Sequence, residues 1–159
     1  MSPTRDRSPR FEYQSQESTL TLAAGLDEYS RGHPALIRPE AMGAEDAELF
    51  RHHDICHVIF GLDTTMVDEA MADLRTVLGT DVGVRCYVRY LRTSQEAQRI
   101  FEAAGYLRVI GATLRATPRF VRALFQALRT RRRWPWNPPE EYLGKPLRLL
   151  RAAHGIRVI

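Results

Sequence analysis

The constraint that most narrows this chain lies between Asp46 and Leu78, where two helical stretches carry four metal-competent side chains at fixed places. His53 and His57 stand four residues apart. On an α-helix advancing about 100° per residue, that spacing puts both imidazoles on one face. Asp54 follows His53 directly and precedes His57 by three, so it can approach the same centre from the side. Gly61, Leu62, Asp63, Thr64 and Thr65 then permit a turn, after which Glu69 can come back from the next helix. The pattern reads His-Asp-x-x-His, eleven residues, Glu. It follows the spacing logic of the zinc-protease helix His-Glu-x-x-His, with Asp in place of Glu. The motif sits in an apolar run of Leu49, Phe50, Ile55, Cys56, Val58, Ile59 and Phe60. Unpaired charge is expensive in such surroundings, and a metal ion is one partner that satisfies it. A helix-end role for Glu69 competes, because acidic side chains are favoured in a first turn.

Two imidazoles and two carboxylates make a mixed nitrogen and oxygen shell, which suits one divalent ion of zinc, iron or manganese better than calcium. Zinc is expected first. It would act as a Lewis acid or lower the pKa of bound water, whereas iron or manganese would also support oxygen chemistry.

The rest of the chain reads as helical. Leu20 to Tyr29 has apolar residues at 20, 22, 23 and 26, and Gly32-His33-Pro34 ends it. Asp46 to Phe60 is the motif helix, stopped by Gly61. The next runs from Thr65 to about Leu78, with Thr65 and Asp68 placed like a capping box and Met66, Ala70, Leu74 and Val77 on one face. Gly79 closes it. Val82 to Arg92 alternates apolar and basic residues, yet no partner strand is evident, and a helix continuing to Ala104 is favoured. Thr117-Pro118 opens a helix with Phe120, Val121, Leu124, Phe125 and Leu128 as its apolar face. A rigid turn, Trp134 to Pro139, precedes a last helix from Pro139 or Glu140 to His154, ended by Gly155. These elements predict an all-α, single-domain helical bundle of about six or seven helices. Residues 1–18, rich in Pro, Ser and alternating charge, are expected to be a disordered tail before a helical domain over 19–159.

A chain of 159 residues buries around two-thirds of its unfolded surface without disulfide staples. Cys56 and Cys86 therefore read as reduced residues, Cys56 as a small buried hydrophobe rather than a ligand. There is no signal-peptide core, and the apolar region 103–128 is broken by Arg108, Arg115, Arg119 and Arg122, so a bilayer span is not expected. The expected place is cytoplasmic, with peripheral membrane association on the inner face. Charge is uneven: residues 1–107 hold 11 Lys or Arg against 17 Asp or Glu, and residues 108–159 hold 12 against 2. Within that basic third, Phe120, Phe125, Arg131, Arg132, Arg133, Trp134 and Trp136 form a candidate lipid-contacting set, because aromatic rings and cations together favour a membrane interface. The alternative is that the aromatic residues are core and the arginines a solvated face.

The segment 50–70, FRHHDICHVIFGLDTTMVDEA, resembles the ubiquinone (coenzyme Q) biosynthesis protein Coq-four family, whose signature is this His-Asp-x-x-His, eleven-residue, Glu pattern. Leu20 to Tyr29 is similar to the family's first helix. Trp134 to Ile156 is similar to its closing Pro-rich turn and last helix, so the likeness runs over residues 19–157. The resemblance implies a helical fold with a metal held by His53, Asp54, His57 and Glu69. It further implies a metal-dependent decarboxylase of quinone biosynthesis, a lyase removing the ring carboxyl of a polyprenylated benzoate and replacing it with hydroxyl. Its partner would be a prenylated aromatic quinone precursor, with a homodimer or a quinone-biosynthesis complex as the assembly.

Two other classes stay open. A non-catalytic lipid-binding scaffold would organise quinone enzymes without doing chemistry. A basic nucleic-acid module would stack bases on the tryptophans, but no compact nucleic-acid motif accompanies the charge, and no nucleic acid is expected. A His-Asp phosphohydrolase would need a further His and Asp, for which only His33 and Asp81 offer themselves.

Overall fold

The computed structural model describes residues 10–34, 36, 43–85, 117–129 and 132–158. Among these the fold is all-α, with five helices: α1 (Leu22–Gly32), α2 (Ala44–Phe60), α3 (Met66–Gly79), α4 (Thr117–Arg129) and α5 (Leu147–His154). Two short 3-10 turns, Glu12–Gln14 and Glu140–Tyr142, complete them. The helix expected over 82–104 lies outside the described residues beyond Arg85.

Local chemistry sets the ends. The Thr21 hydroxyl accepts the Ala24 N–H at the start of α1, and the Thr65 hydroxyl accepts the Asp68 N–H at the start of α3. In place of the reciprocal capping box, the Thr65 hydroxyl donates to the Asp68 carboxylate at 2.9 Å. At the end of α2, Gly61 adopts φ +69°, and a Cβ there would also stand 2.8 Å from a Val158 methyl. The following Leu62 N–H closes the turn on the His57 carbonyl at 2.8 Å. This turn sets the direction in which α3 departs, and hence where Glu69 arrives.

α1 and α2 approach closely because Gly25 has no side chain: a Cβ there would lie 2.9 Å from Val58 and 3.1 Å from Leu147. Leu22 and Tyr29 of α1, Ile55, Val58 and Ile59 of α2, and Met71 of α3 close the core, with Leu147 and Leu150 from α5. Each such side chain contributes roughly 1.5–3 kcal/mol on burial. Arg151 of α5 lies wholly buried beside them and donates to the carbonyls of Tyr13, Ser15, Val58 and Ile59. It ties the amino-terminal segment to the last turn of α2.

Four expectations are corrected. Residues 10–18 are not a loose tail: Tyr13 and Ser18 are buried, and the Tyr13 hydroxyl donates to the Leu62 carbonyl at 2.9 Å. The inward face of α3 is Asp68, Met71, Ala72, Arg75 and Thr76, while Met66 is exposed. Asp68 and Arg75 on that face have partners that an apolar periodicity cannot foresee. On α4, Ala123 is buried, Phe120 is half-buried, and Val121, Leu124 and Phe125 are exposed; the side chain of Leu128 lies outside the described set. The last helix begins at Leu147 rather than Glu140, since Pro146 removes a donor and disfavours helical backbone at Lys145.

Candidate metal centre

His53 and His57 project from one face of α2, and Glu69 meets them from the first turn of α3. The two Nε2 atoms are 3.1 Å apart. Glu69 Oε2 lies 3.4 Å from His53 Nε2 and 3.3 Å from His57 Nε2. A tetrahedral ion with bonds of about 2.0–2.1 Å has donor-to-donor edges of roughly 3.3 Å. The three measured edges match it. Both Nδ1 atoms are buried without a hydrogen-bond partner, so Nε2 is the nitrogen each ring presents to the cluster. The three side chains therefore fit a divalent ion, with Glu69 as the most open of them at 39% exposure against 0% for His57. The carboxylate side is the approach from solvent.

Burial works to raise the Glu69 carboxyl, but hydrogen bonds from His53 and His57 and their charge outweigh it and hold the group well below the usual carboxylate range. Burial works to lower His53, and its hydrogen bond and attraction to Glu69, with Asp73 and Asp54 behind, raise it instead. Glu69 thus stays an anion, ready as a ligand.

Asp54 stands outside the group whose ligand atoms lie within 4.8 Å of one another. The cause is angular, since a residue one position from His53 is rotated about 100° off the face that His53 and His57 share. It remains coupled to them. Burial pushes its carboxyl up to about 6, against the pull of His53 and His57.

The aromatic surroundings come from α1. Tyr29 stacks on His57, with centroids 5.4 Å apart, and also touches His33. His33 Nδ1 lies 2.8 Å from the Tyr29 carbonyl, and Nε2 lies 2.6 Å from Asp63 Oδ1. Both ring nitrogens face oxygen atoms. His33 thereby fastens the α2–α3 turn to the end of α1. The sequence offers His33 as part of a helix stop and as the spare histidine of a His-Asp phosphohydrolase, and nothing in the spacing from 33 to 63 signals the pair with Asp63. Neither His33 nor Asp81 enters the metal group; Asp81 instead accepts the Trp136 N–H at 2.6 Å.

Of the candidate lipid-contacting residues, Trp134 is withdrawn from any surface. It is fully buried, edge-on to His154 at 5.0 Å and tilted against Tyr142. Trp136 is half-buried and packs edge-on to His52. Phe120 packs against the core. Phe125, Arg132 and Arg133 are exposed, and Arg131 lies outside the described residues. Cys56 is buried and unpaired, and burial pushes its thiol up to about 12, which fits a packing role. Among the described residues no helix is long and apolar enough to cross a membrane. Comparison with protein-family models, curated proteins and solved structures returns no match.

Proposed function

We propose that this chain is a metal-dependent protein of ubiquinone biosynthesis that acts on the head group of a polyprenylated benzoate, removing the ring carboxyl. One observation carries the reading: the donor atoms of His53, His57 and Glu69 converge at 3.1–3.4 Å, from residues that also satisfy the His-x-x-x-His, eleven-residue, Glu spacing. Zinc is the ion best suited to two imidazoles and a carboxylate at these separations. When bound, it supplies a Lewis acid that draws electron density from a substrate carboxylate or phenol oxygen.

The protein side chains have separable tasks. His53 and His57 fix the position of the ion, and Glu69 leaves its exposed flank open to substrate. Asp54, whose carboxyl burial raises to about 6, exchanges its proton closer to neutral pH than an ordinary carboxylate does, so in its protonated form it can give the proton to the ring carbon that loses the carboxyl. Tyr29 closes the inner side against water with an aromatic ring. A prenyl tail needs an apolar exit near a membrane surface, and the exposed Val121, Leu124 and Phe125 beside Arg122 on α4 suit that contact.

Metal analysis of the native protein, paired with profiling of quinone intermediates in a deletion strain, tests the proposal. About one equivalent of zinc in the native protein and a build-up of carboxylated precursor in the deletion strain are expected, and His53→Ala should lose the zinc and leave the precursor uncleared. Normal metal content and full complementation by His53→Ala would overturn it. Motif variants that still assemble a quinone-enzyme complex yet make no quinone would separate catalysis from scaffolding. Failure to prefer anionic vesicles in liposome flotation would remove the membrane contact.

A further inference from the structure

His154, in the last turn of α5, is 2% exposed and stands outside the metal group. Its ring lies edge-on to Trp134 at 5.0 Å and to Tyr142 at 6.0 Å, inside a box of aromatic side chains. Nδ1 is 3.2 Å from the Arg133 carbonyl. A carbonyl only accepts, so Nδ1 carries the ring proton, and Nε2 is a lone pair, sealed from solvent and without a hydrogen-bond partner. The Trp134 indole nitrogen is sealed and unpartnered as well, but it carries its own proton and cannot receive another.

The backbone that His154 holds belongs to a strap over 132–137. Trp134 N–H donates to the Gly79 carbonyl at 2.8 Å, and Asp81 N–H donates to the Trp134 carbonyl at 3.1 Å, which fixes the strap to the end of α3. Further along, Trp136 N–H donates to the Asp81 carboxylate at 2.6 Å, and the Trp136 ring lies edge-on to the buried His52 of α2 at 5.3 Å. The strap thus joins α5, α3 and α2.

A second proton on His154 would put a full positive charge and an unmatched donor inside the aromatic box, where burial makes both costly. The charged groups on the surrounding elements are Arg132 and Arg133 on the strap, Arg151 on α5, Glu140, Glu141 and Lys145 around the second 3-10 turn, and Asp81 after α3. Arg132 bears on the imidazole directly and repels a positive charge, Glu141 pairs with Lys145 at 2.8 Å, and Arg151 is occupied by carbonyls. Burial, with Arg132 behind it, lowers His154 from its ordinary 6.5 against the pull of the Arg133 and Arg132 backbone.

We propose that His154 is an acid-sensitive latch, which when neutral holds the strap 132–137 against α3 and α5 and when protonated releases it and uncovers His52. In the opened strap the ring takes its proton in water, so closure is fully favoured above 6.5 and weakens as pH falls below that value. The latch rests on the geometry of the strap and stands independently of the proposed function.

Hydrogen exchange and imidazole titration by NMR, on the full chain between pH 7 and pH 5, test it. Protection factors of the Asp81 and Trp134 amides are expected to fall by about tenfold or more, since a release coupled to one proton shifts by up to about tenfold per pH unit. Those of Ile59 and Met71 in the core should hold. The His154 ring should titrate below 6.5. His154→Asn keeps a donor for the Arg133 carbonyl but does not titrate, and it should show the same protection at both ends of the range. His154→Phe, which keeps an aromatic ring, should do likewise. A His154 midpoint at or above 6.5, unchanged Asp81 and Trp134 protection in the native chain, or an equal fall at Ile59 and Met71 would each overturn the latch, and none of these needs a variant to fold. An equal fall at Asp81 and Trp134 in either folded variant would overturn it too.

Discussion

The ring of Tyr29 lies against the imidazole of His57 at a centroid distance of 5.4 Å and an interplanar angle of 28°, so α1 supplies the inner wall of a centre built on α2 and α3. Tyr29 is buried in the core, at 1% exposure. The contact is thus one of shape and apolar area. Tyr29→Ala should destabilise the fold by about 3–5 kcal/mol and loosen metal binding, since the cavity frees His57 to rotate. Tyr29→Phe keeps the ring and should cost under about 1 kcal/mol. Urea denaturation and a zinc competition titration read the two effects; equal losses in both variants would show that the hydroxyl, not the ring, matters.

The His33 to Asp63 contact gives a pH signature away from the metal ligands. Burial acts to raise Asp63, but the Thr64 N–H and the His33 imidazole outweigh it and lower the carboxyl from its ordinary 3.8. A carboxylate whose folded pKa is depressed stabilises above the unfolded value, and that contribution is lost as pH falls through the folded value. Asp63→Ala should therefore cost about 1.5–3 kcal/mol at pH 7, the range for hydrogen bonds to a charged group. The gap between wild type and variant should narrow as pH drops below 3.8. A gap that persists unchanged into that acid range would show that Asp63 acts by packing.

The helix limits around the motif were legible because single residues enforce them: Gly61 in left-handed backbone, Thr65 as a cap and Gly155 at the chain's last turn. The meeting of His53, His57 and Glu69 was legible too, since helical spacing plus one turn determines it. What apolar periodicity missed were inward polar residues. Arg75 and Arg151 face the interior because distant carbonyls or side chains receive them, and a partner such as Ile59 for Arg151 leaves no local trace. Trp134 illustrates the converse. A tryptophan beside an arginine run reads as a surface anchor, yet backbone bonds from Trp134 N–H to the Gly79 carbonyl and from Asp81 N–H to the Trp134 carbonyl draw it inside.

Arg151 should not tolerate lysine. Its planar guanidinium reaches four carbonyls on two segments at once, whereas an ammonium has three donors on a flexible stem. Arg151→Lys should lower stability by about 2–4 kcal/mol, because at least one buried carbonyl is left unpaired and the remaining charge is poorly held. Hydrogen exchange should show the loss first at the end of α2 and in residues 12–15. Protection unchanged in those segments would mean that the guanidinium contacts are incidental to the fold.

Metal binding should rank the motif residues in an order that separates ligands from neighbours. His53, His57 and Glu69 bring their donor atoms together, while Asp54 stands aside with its carboxyl near 6. Replacing a ligand removes a bond outright, so His57→Ala or Glu69→Ala should weaken zinc by more than about 100-fold, beyond the 10–100-fold typical of an outer-shell change. Asp54→Asn should fall within or below that outer-shell range. Binding should also weaken as pH falls from 7 toward 5, because the imidazoles must shed protons to coordinate and the attraction of Glu69 raises His53 against burial. Glu69 itself, held far below the usual carboxylate range, should not limit binding in that interval. A chromophoric-chelator competition at several pH values distinguishes these outcomes, and an Asp54→Asn loss as large as that of His57→Ala would place Asp54 among the ligands.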